Sequence, residues 1–158
     1  MARKRIDPST LNSVVGTQYP PPHDVPCRSR KRVRLGDAAG LTQYGVNLLT
    51  LPPGAWSSQR HWHATGDEFV YVLEGEVVLV TDDGEEVLRL GDAAGFKGGD
   101  TDGHCLQNRS KTDVRVLEIG TRVIEEVVYS DIDMKVKIGE GYTHRDGTPY
   151  PKHERRGG

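Results

Sequence analysis

From residue 43 to about 129 the apolar and polar residues follow the pattern of short strands separated by turn residues. Tyr44, Val46, Leu48 and Thr50 alternate with Gln43, Gly45, Asn47 and Leu49, and Pro52-Pro53-Gly54 ends the run. Phe69–Leu73 and Val77–Val80 are rich in β-branched and aromatic residues and too short for an ordinary helix, so they read as strands. Asp83-Gly84 predicts a hairpin between Val77–Thr81 and Glu86–Leu90. Gly91-Asp92 turns again, and Ala93–Phe96, His104–Asn108 and Val114–Ile119 continue the series around a polar loop at 98–103. Strands of about five residues with a turn every eight to twelve describe an all-β sandwich or barrel. No segment of this region carries a convincing amphipathic helix.

The two ends break the pattern. The first 27 residues have little periodicity, and Tyr19-Pro20-Pro21-Pro22 favours an extended, polyproline-like path. We therefore expect an extended N-terminal arm over 1–27, a barrel over 28–130, and a C-terminal tail over 131–158 packing on or near the barrel. Arg28, Arg30, Arg32 and Arg34 alternate, which on a strand places all four on one face. The reading favoured here is an edge strand whose charges face solvent and discourage edge-to-edge pairing; an anion-binding stripe is the alternative.

Composition narrows the class. A chain of 158 residues forms one domain that buries roughly 70% of its unfolded surface. No uncharged apolar run approaches the roughly 20 residues of a membrane span, and the basic start lacks the apolar stretch of a signal peptide. Two cysteines, Cys27 and Cys105, supply neither a disulfide framework nor a four-cysteine zinc site, and suit a reducing interior. We expect a cytoplasmic protein. Residues 1–34 hold eight Lys/Arg and two Asp, residues 35–131 seven and seventeen acidic, and residues 132–158 six and four. An acidic body with basic ends argues against nucleic acid as the partner, because such proteins concentrate cations on the folded face. The basic ends can instead fold back on the body.

The chemistry concentrates in His61-Trp62-His63, four residues, then Glu68. Histidines at i and i+2 on a strand share a face about 6.5 Å apart. Glu68 heads a row with Val70 and Val72, opposite Phe69, Tyr71 and Leu73, and a buried carboxylate needs a strong partner. A cation beside the histidines supplies one. His104, after a glycine-rich loop, is the fourth candidate, with Leu106 and Asn108 on its face. Three imidazoles and a carboxylate suit one divalent transition metal (Mn, Fe, Co, Ni or Zn) better than Ca or Mg. Asn47, Gln59, Arg60 and Lys97 are candidate ligand-binding residues, the last three by proximity and Asn47 from the polar row of its strand. Cys105 turns to the face opposite His104 and reads as a buried small side chain. Gly91-x-x-x-Gly95-Phe-Lys97 lacks the ending of a phosphate-binding P-loop.

These residues resemble the two signatures of the cupin superfamily. Gly54–Gly75 is similar to the first, reading His61-x-His63, four residues, Glu68, six residues, Gly75. Gly91–Asn108 is similar to the second, closing on His104, three residues, Asn108. The spacer from Gly54 to His61 is one residue longer than usual, Lys97 stands where proline is common, and a longer loop displaces His104 by two positions. The stretches Asp67–Gly75, Asp102–His104, Glu118–Arg122 and Tyr129–Met134 resemble small bacterial single-domain cupins, some of which carry a sugar phosphate isomerase label. The resemblance implies a double-stranded β-helix (cupin or jelly-roll barrel), a metal held by His61, His63, Glu68 and His104, and a homodimer. It also implies a small-molecule ligand, an oxygen-rich anionic metabolite, acted on by an isomerase-like enzyme. A nonhaem metal dioxygenase and a non-catalytic ligand-binding or sensing module are the alternatives. Whether Phe69, Tyr71 and Leu73 pack in a second sheet or across a dimer is left open by the sequence.

Overall fold

The computed structural model describes residues 4–122, 125–137 and 139–157. Thirteen strands are described: β1 (Ser13–Val15), β2 (Lys31–Arg34), β3 (Tyr44–Leu51), β4 (His61–His63), β5 (Glu68–Glu74), β6 (Glu76–Thr81), β7 (Gly84–Arg89), β8 (Ala93–Phe96), β9 (Cys105–Gln107), β10 (Val114–Thr121), β11 (Glu126–Tyr129), β12 (Lys135–Lys137) and β13 (Gly141–Thr143). A single helical turn, α1 (Leu35–Ala38), follows β2. All strand pairs are antiparallel. One sheet runs β1-β2-β3-β10-β5-β8. The other is built from β13-β12-β11-β4 and β7-β6-β9, joined where His61 and His104 bridge, each backbone N–H donating to the other's carbonyl at 3.1 and 2.9 Å. This is the double-stranded β-helix that the motifs imply.

The strands extend beyond 28–130 at both ends. β1 covers β2, and β12 and β13 continue the second sheet. The ends also meet, since Thr17 and Arg156 exchange backbone hydrogen bonds at 3.0 and 2.8 Å. The arginine strand is therefore not an edge, and Arg30 and Arg32 turn into the barrel rather than to solvent. Residues 13–15 give no periodic signal of the strand that covers β2. In the predicted hairpin, Thr81 pairs with Gly84, so the two-residue loop is Asp82-Asp83 and the glycine, at φ +123°, follows it. Few L-residues adopt such a φ.

Inward-facing residues are graded along the barrel. Across β3, β10 and β5, Leu49, Val116 and Val72 form one layer; Asn47, Glu118 and Val70 the next; Gly45, Gly120 and Glu68 the last. The first layer is fully buried and belongs to a core with Leu51, Val77, Leu79 and Leu106. Hydrocarbon thus closes one end, and the other opens into a polar cavity. A smaller core of Tyr19, Cys27, Val127, Tyr129 and Met134 packs the arm against the second sheet. Phe69, Tyr71 and Leu73 face outward and remain 43%, 38% and 40% exposed, so no second sheet among the described residues covers them. No described helix is long and apolar enough to cross a membrane.

The burial pattern predicts a sharp contrast in urea unfolding. Leu51→Ala, at a position with 0% exposure, should cost about 2–5 kcal/mol of stability. Leu90→Ser, at 69% exposure, should change it by no more than about 0.5 kcal/mol. Equal effects would contradict the assigned core.

Candidate metal centre

Three strand registers bring the histidines and Glu68 together. The pairing of β4 with β11 sets His61 opposite Tyr129 and His63 opposite Val127, leaving Trp62 on the other face. The β5–β10 register places Glu68 opposite Gly120, and the His61–His104 bridge fixes His104. The imidazole Nε2 atoms then converge on one carboxylate oxygen. Glu68 Oε2 lies 2.7 Å from His104 Nε2, 2.9 Å from His63 Nε2 and 3.6 Å from His61 Nε2. The two Nε2 atoms of His61 and His63 are 3.2 Å apart. Ligand atoms of His61, Glu68 and His104 all lie within 4.8 Å of one another.

The chemistry of this donor set fits a cation. Nδ1 of His61 is 2.9 Å from the Gln59 carbonyl, to which it can only donate, so Nε2 of a neutral ring carries the lone pair that faces the cluster. Burial works to raise the Glu68 carboxyl, but hydrogen bonds from His104 and His63, at 2.7 and 2.9 Å, outweigh it and hold the group well below the usual carboxylate range. Burial lowers His104, with Glu68 opposing and the other two histidines assisting. An ionised carboxylate and imidazole nitrogens are ligands a transition metal takes, with release of the protons that the rings share with Glu68. Phe96 stacks on the His104 ring, centroids 3.5 Å apart and planes within 2°, and restrains its orientation.

The cluster opens into a cavity of about 320 Å³. Space beside Glu68 comes from Gly120, where an added Cβ would sit 3.4 Å from Glu68 Cγ. Asn47 lines this cavity, as the polar row of its strand predicts. Lys97 lines a second cavity, of about 210 Å³, on the far side of His63 and His104. Gln59 and Arg60 line neither of these cavities. Gln59 donates to the His23 carbonyl at 2.8 Å, while Arg60 pairs with Asp131 at 2.7 Å and with Asp82. Proximity in sequence failed for these two because each side chain already has a structural partner.

Among the cavity residues, Tyr19 and Glu118 were not site candidates, and Arg30 and Arg32 were read as an anion-binding stripe only in the alternative. Arg32 holds Glu118 by two hydrogen bonds, of 2.7 and 2.9 Å. The alternating arginines were visible, and Glu118 shares the inward row of Val114 and Val116; what sequence could not give was the face they occupy. Tyr19 lies in an aperiodic arm and carried no signal. Cys105 is buried at 1% exposure, away from the cavity.

The family described as Cupin domain matches residues 47–120. A solved structure of a sugar phosphate isomerase from a cupin superfamily, from Silicibacter pomeroyi, is 43% identical, with 93% of this chain and 96% of that one covered at a TM-score of 0.88. A protein of Acidithiobacillus ferrooxidans, described as a candidate sugar phosphate isomerase, is 27% identical over 78% of this chain and 81% of that one, TM-score 0.68. A polyketide cyclase of Streptomyces resistomycificus, 17% identical over 83% and 87% of the chains, TM-score 0.68, shares the fold. No curated protein matches the sequence.

Elemental analysis of gently purified protein tests the donor set. His63→Ala and Glu68→Ala should each remove most of the bound transition metal while circular dichroism retains the strand signal. Full metal retention in both would defeat the assignment. The family does not depend on that outcome: identity of 43% across nearly the whole of both chains, on the same fold, means that this chain belongs to the cupin superfamily.

Proposed function

We propose that this protein is a metal-dependent enzyme that isomerises a small, oxygen-rich, anionic metabolite of the sugar phosphate class, with His61, His63, Glu68 and His104 holding the metal. The observation that carries this reading is the convergence of three imidazoles and one carboxylate at the polar end of a cavity that arginines and Asn47 also line. The Silicibacter pomeroyi protein's description supports the choice of reaction. A divalent ion bound there supplies Lewis acidity toward a carbonyl or hydroxyl oxygen.

The chain's own groups have separate tasks. Glu68 stays ionised and offsets the charge of the ion. Asn47, with one acceptor and two donors on its amide, can orient a hydroxyl or carbonyl of the ligand. Isomerisation moves a proton between adjacent carbons, and a positioned acid–base group must carry it. Glu118 is the carboxylate lining the cavity outside the histidine cluster, among the described residues, and Arg32 fixes both its oxygens. It is the candidate proton carrier.

Incubation with aldose and ketose phosphates in D₂O, followed by proton NMR, tests the reading. Interconversion that requires the metal, proceeds equally without oxygen and is lost in Glu118→Gln is the expected result. Oxygen uptake with iron alone would instead identify a dioxygenase, and tight binding without turnover a sensing module. Either would overturn the proposal.

A further inference from the structure

The cavity that the histidine cluster lines also carries arginines, Arg30 and Arg32. Arg30 is 8% exposed, yet no carboxylate lies within ion-pairing distance of it among the described residues. Its Nε donates to the Gly16 carbonyl at 3.2 Å, its Nη1 donates to the Ser57 carbonyl, and its guanidinium lies 5.5 Å from the centre of the Tyr19 ring. Arg32 Nη2 shares the Ser57 carbonyl at 3.1 Å, so two guanidiniums meet at one oxygen. Arg155, from the tail, shares the Gly16 carbonyl with Arg30 at 2.9 Å. Burial lowers the Arg155 guanidinium from its ordinary value, and the nearby Arg30, Arg34 and Arg32 lower it further. Of these three guanidiniums only Arg32 has a carboxylate partner among the described residues, Glu118.

Buried charges in folded proteins are ordinarily paired, because desolvating one without a partner costs several kcal/mol. Carbonyls and an aromatic face soften that cost here but carry no compensating charge. The free valences point to what is missing. Arg30 Nη2 and Arg32 Nη1 have no acceptor among the described residues, and both residues line the cavity. The arm supplies Gly16 and Tyr19 and the tail supplies Arg155, so the chain's two ends complete this wall.

We propose that Arg30 and Arg32, braced by the N-terminal arm and Arg155, form a subsite for a phosphate-type oxyanion in the cavity that the histidine cluster also lines. This deepens the preceding reading and rests on it for the role of the histidine cluster. A phosphoryl group carries about −1.5 to −2 charge at neutral pH, matching the two guanidiniums that lack a carboxylate partner among the described residues, Arg30 and Arg155; a carboxylate leaves one unmatched. Arg–phosphate hydrogen bonds are charge-assisted and directional. Such a subsite makes the preferred ligand bifunctional, with a phosphate at one end and metal-seeking oxygens at the other.

Calorimetric titration of the metal-free protein with inorganic phosphate tests this independently of the metal. Saturable binding is expected, weakened at least tenfold in Arg32→Gln and in Arg30→Gln. It should be strengthened in Glu118→Gln, which removes the competing carboxylate, and unchanged in Arg89→Gln, an exposed control. His63→Ala should leave phosphate binding intact while depleting metal. Acetate should bind far more weakly than phosphate; equal binding would reassign the subsite to carboxylates and overturn the choice of phosphate. Absence of saturable phosphate binding, or equal binding by Arg32→Gln and the parent with circular dichroism confirming that both are folded, would overturn the subsite. Failure of the metal assay alone would leave it standing.

Discussion

One partly buried carboxylate governs the arrangement. Glu68 sits inside the barrel, and its charge is tolerated there because three imidazoles close around it. Those contacts need three registers at once: β5 on β10, β4 on β11, and His61 on His104. A slip of one residue in β5 would put Phe69 into the cavity and Glu68 into solvent, because side chains alternate faces. Correct sheet pairing and assembly of the centre are therefore one requirement.

The graded interior explains how a small barrel can be both stable and chemically useful. Leu49, Val116 and Val72 bury hydrocarbon at one end, while the same three strands present Asn47, Glu118 and Glu68 two to four residues further along. The apolar layers carry the stability and let the polar layers be shaped by function. Gly45 and Gly120, facing each other, leave space beside Glu68 at the open end. The terminal segments add what the barrel strands lack, an arginine wall held by Gly16 and Tyr19.

Much of this was legible in the sequence, for physical reasons that also mark where legibility stopped. Alternation located β3, β-branched and aromatic richness in short runs located β5 and β6, turn residues bounded β8, and alternation within β5 put Glu68, Val70 and Val72 on one face. Imidazoles two residues apart with a carboxylate close by are a rare pattern, so His61, His63 and Glu68 stood out. Alternation does not say which face is inward, and the arginines of β2 were accordingly assigned to solvent. The strand that corrects this, β1, is three residues long and has no periodic signature. Gln59 and Arg60 looked like ligand contacts by nearness along the chain, but His23, Asp131 and Asp82 occupy them from distant parts of it.

That His61, His63, Glu68 and His104 share one cation is tested most directly by X-ray absorption at the edge of the metal that copurifies with the protein. The expected spectrum shows nitrogen and oxygen neighbours at roughly 2.0–2.2 Å, the range for imidazole and carboxylate ligands of zinc, with outer-shell scattering from three imidazole rings. A spectrum with no imidazole scattering, or one dominated by sulfur or water, would contradict it.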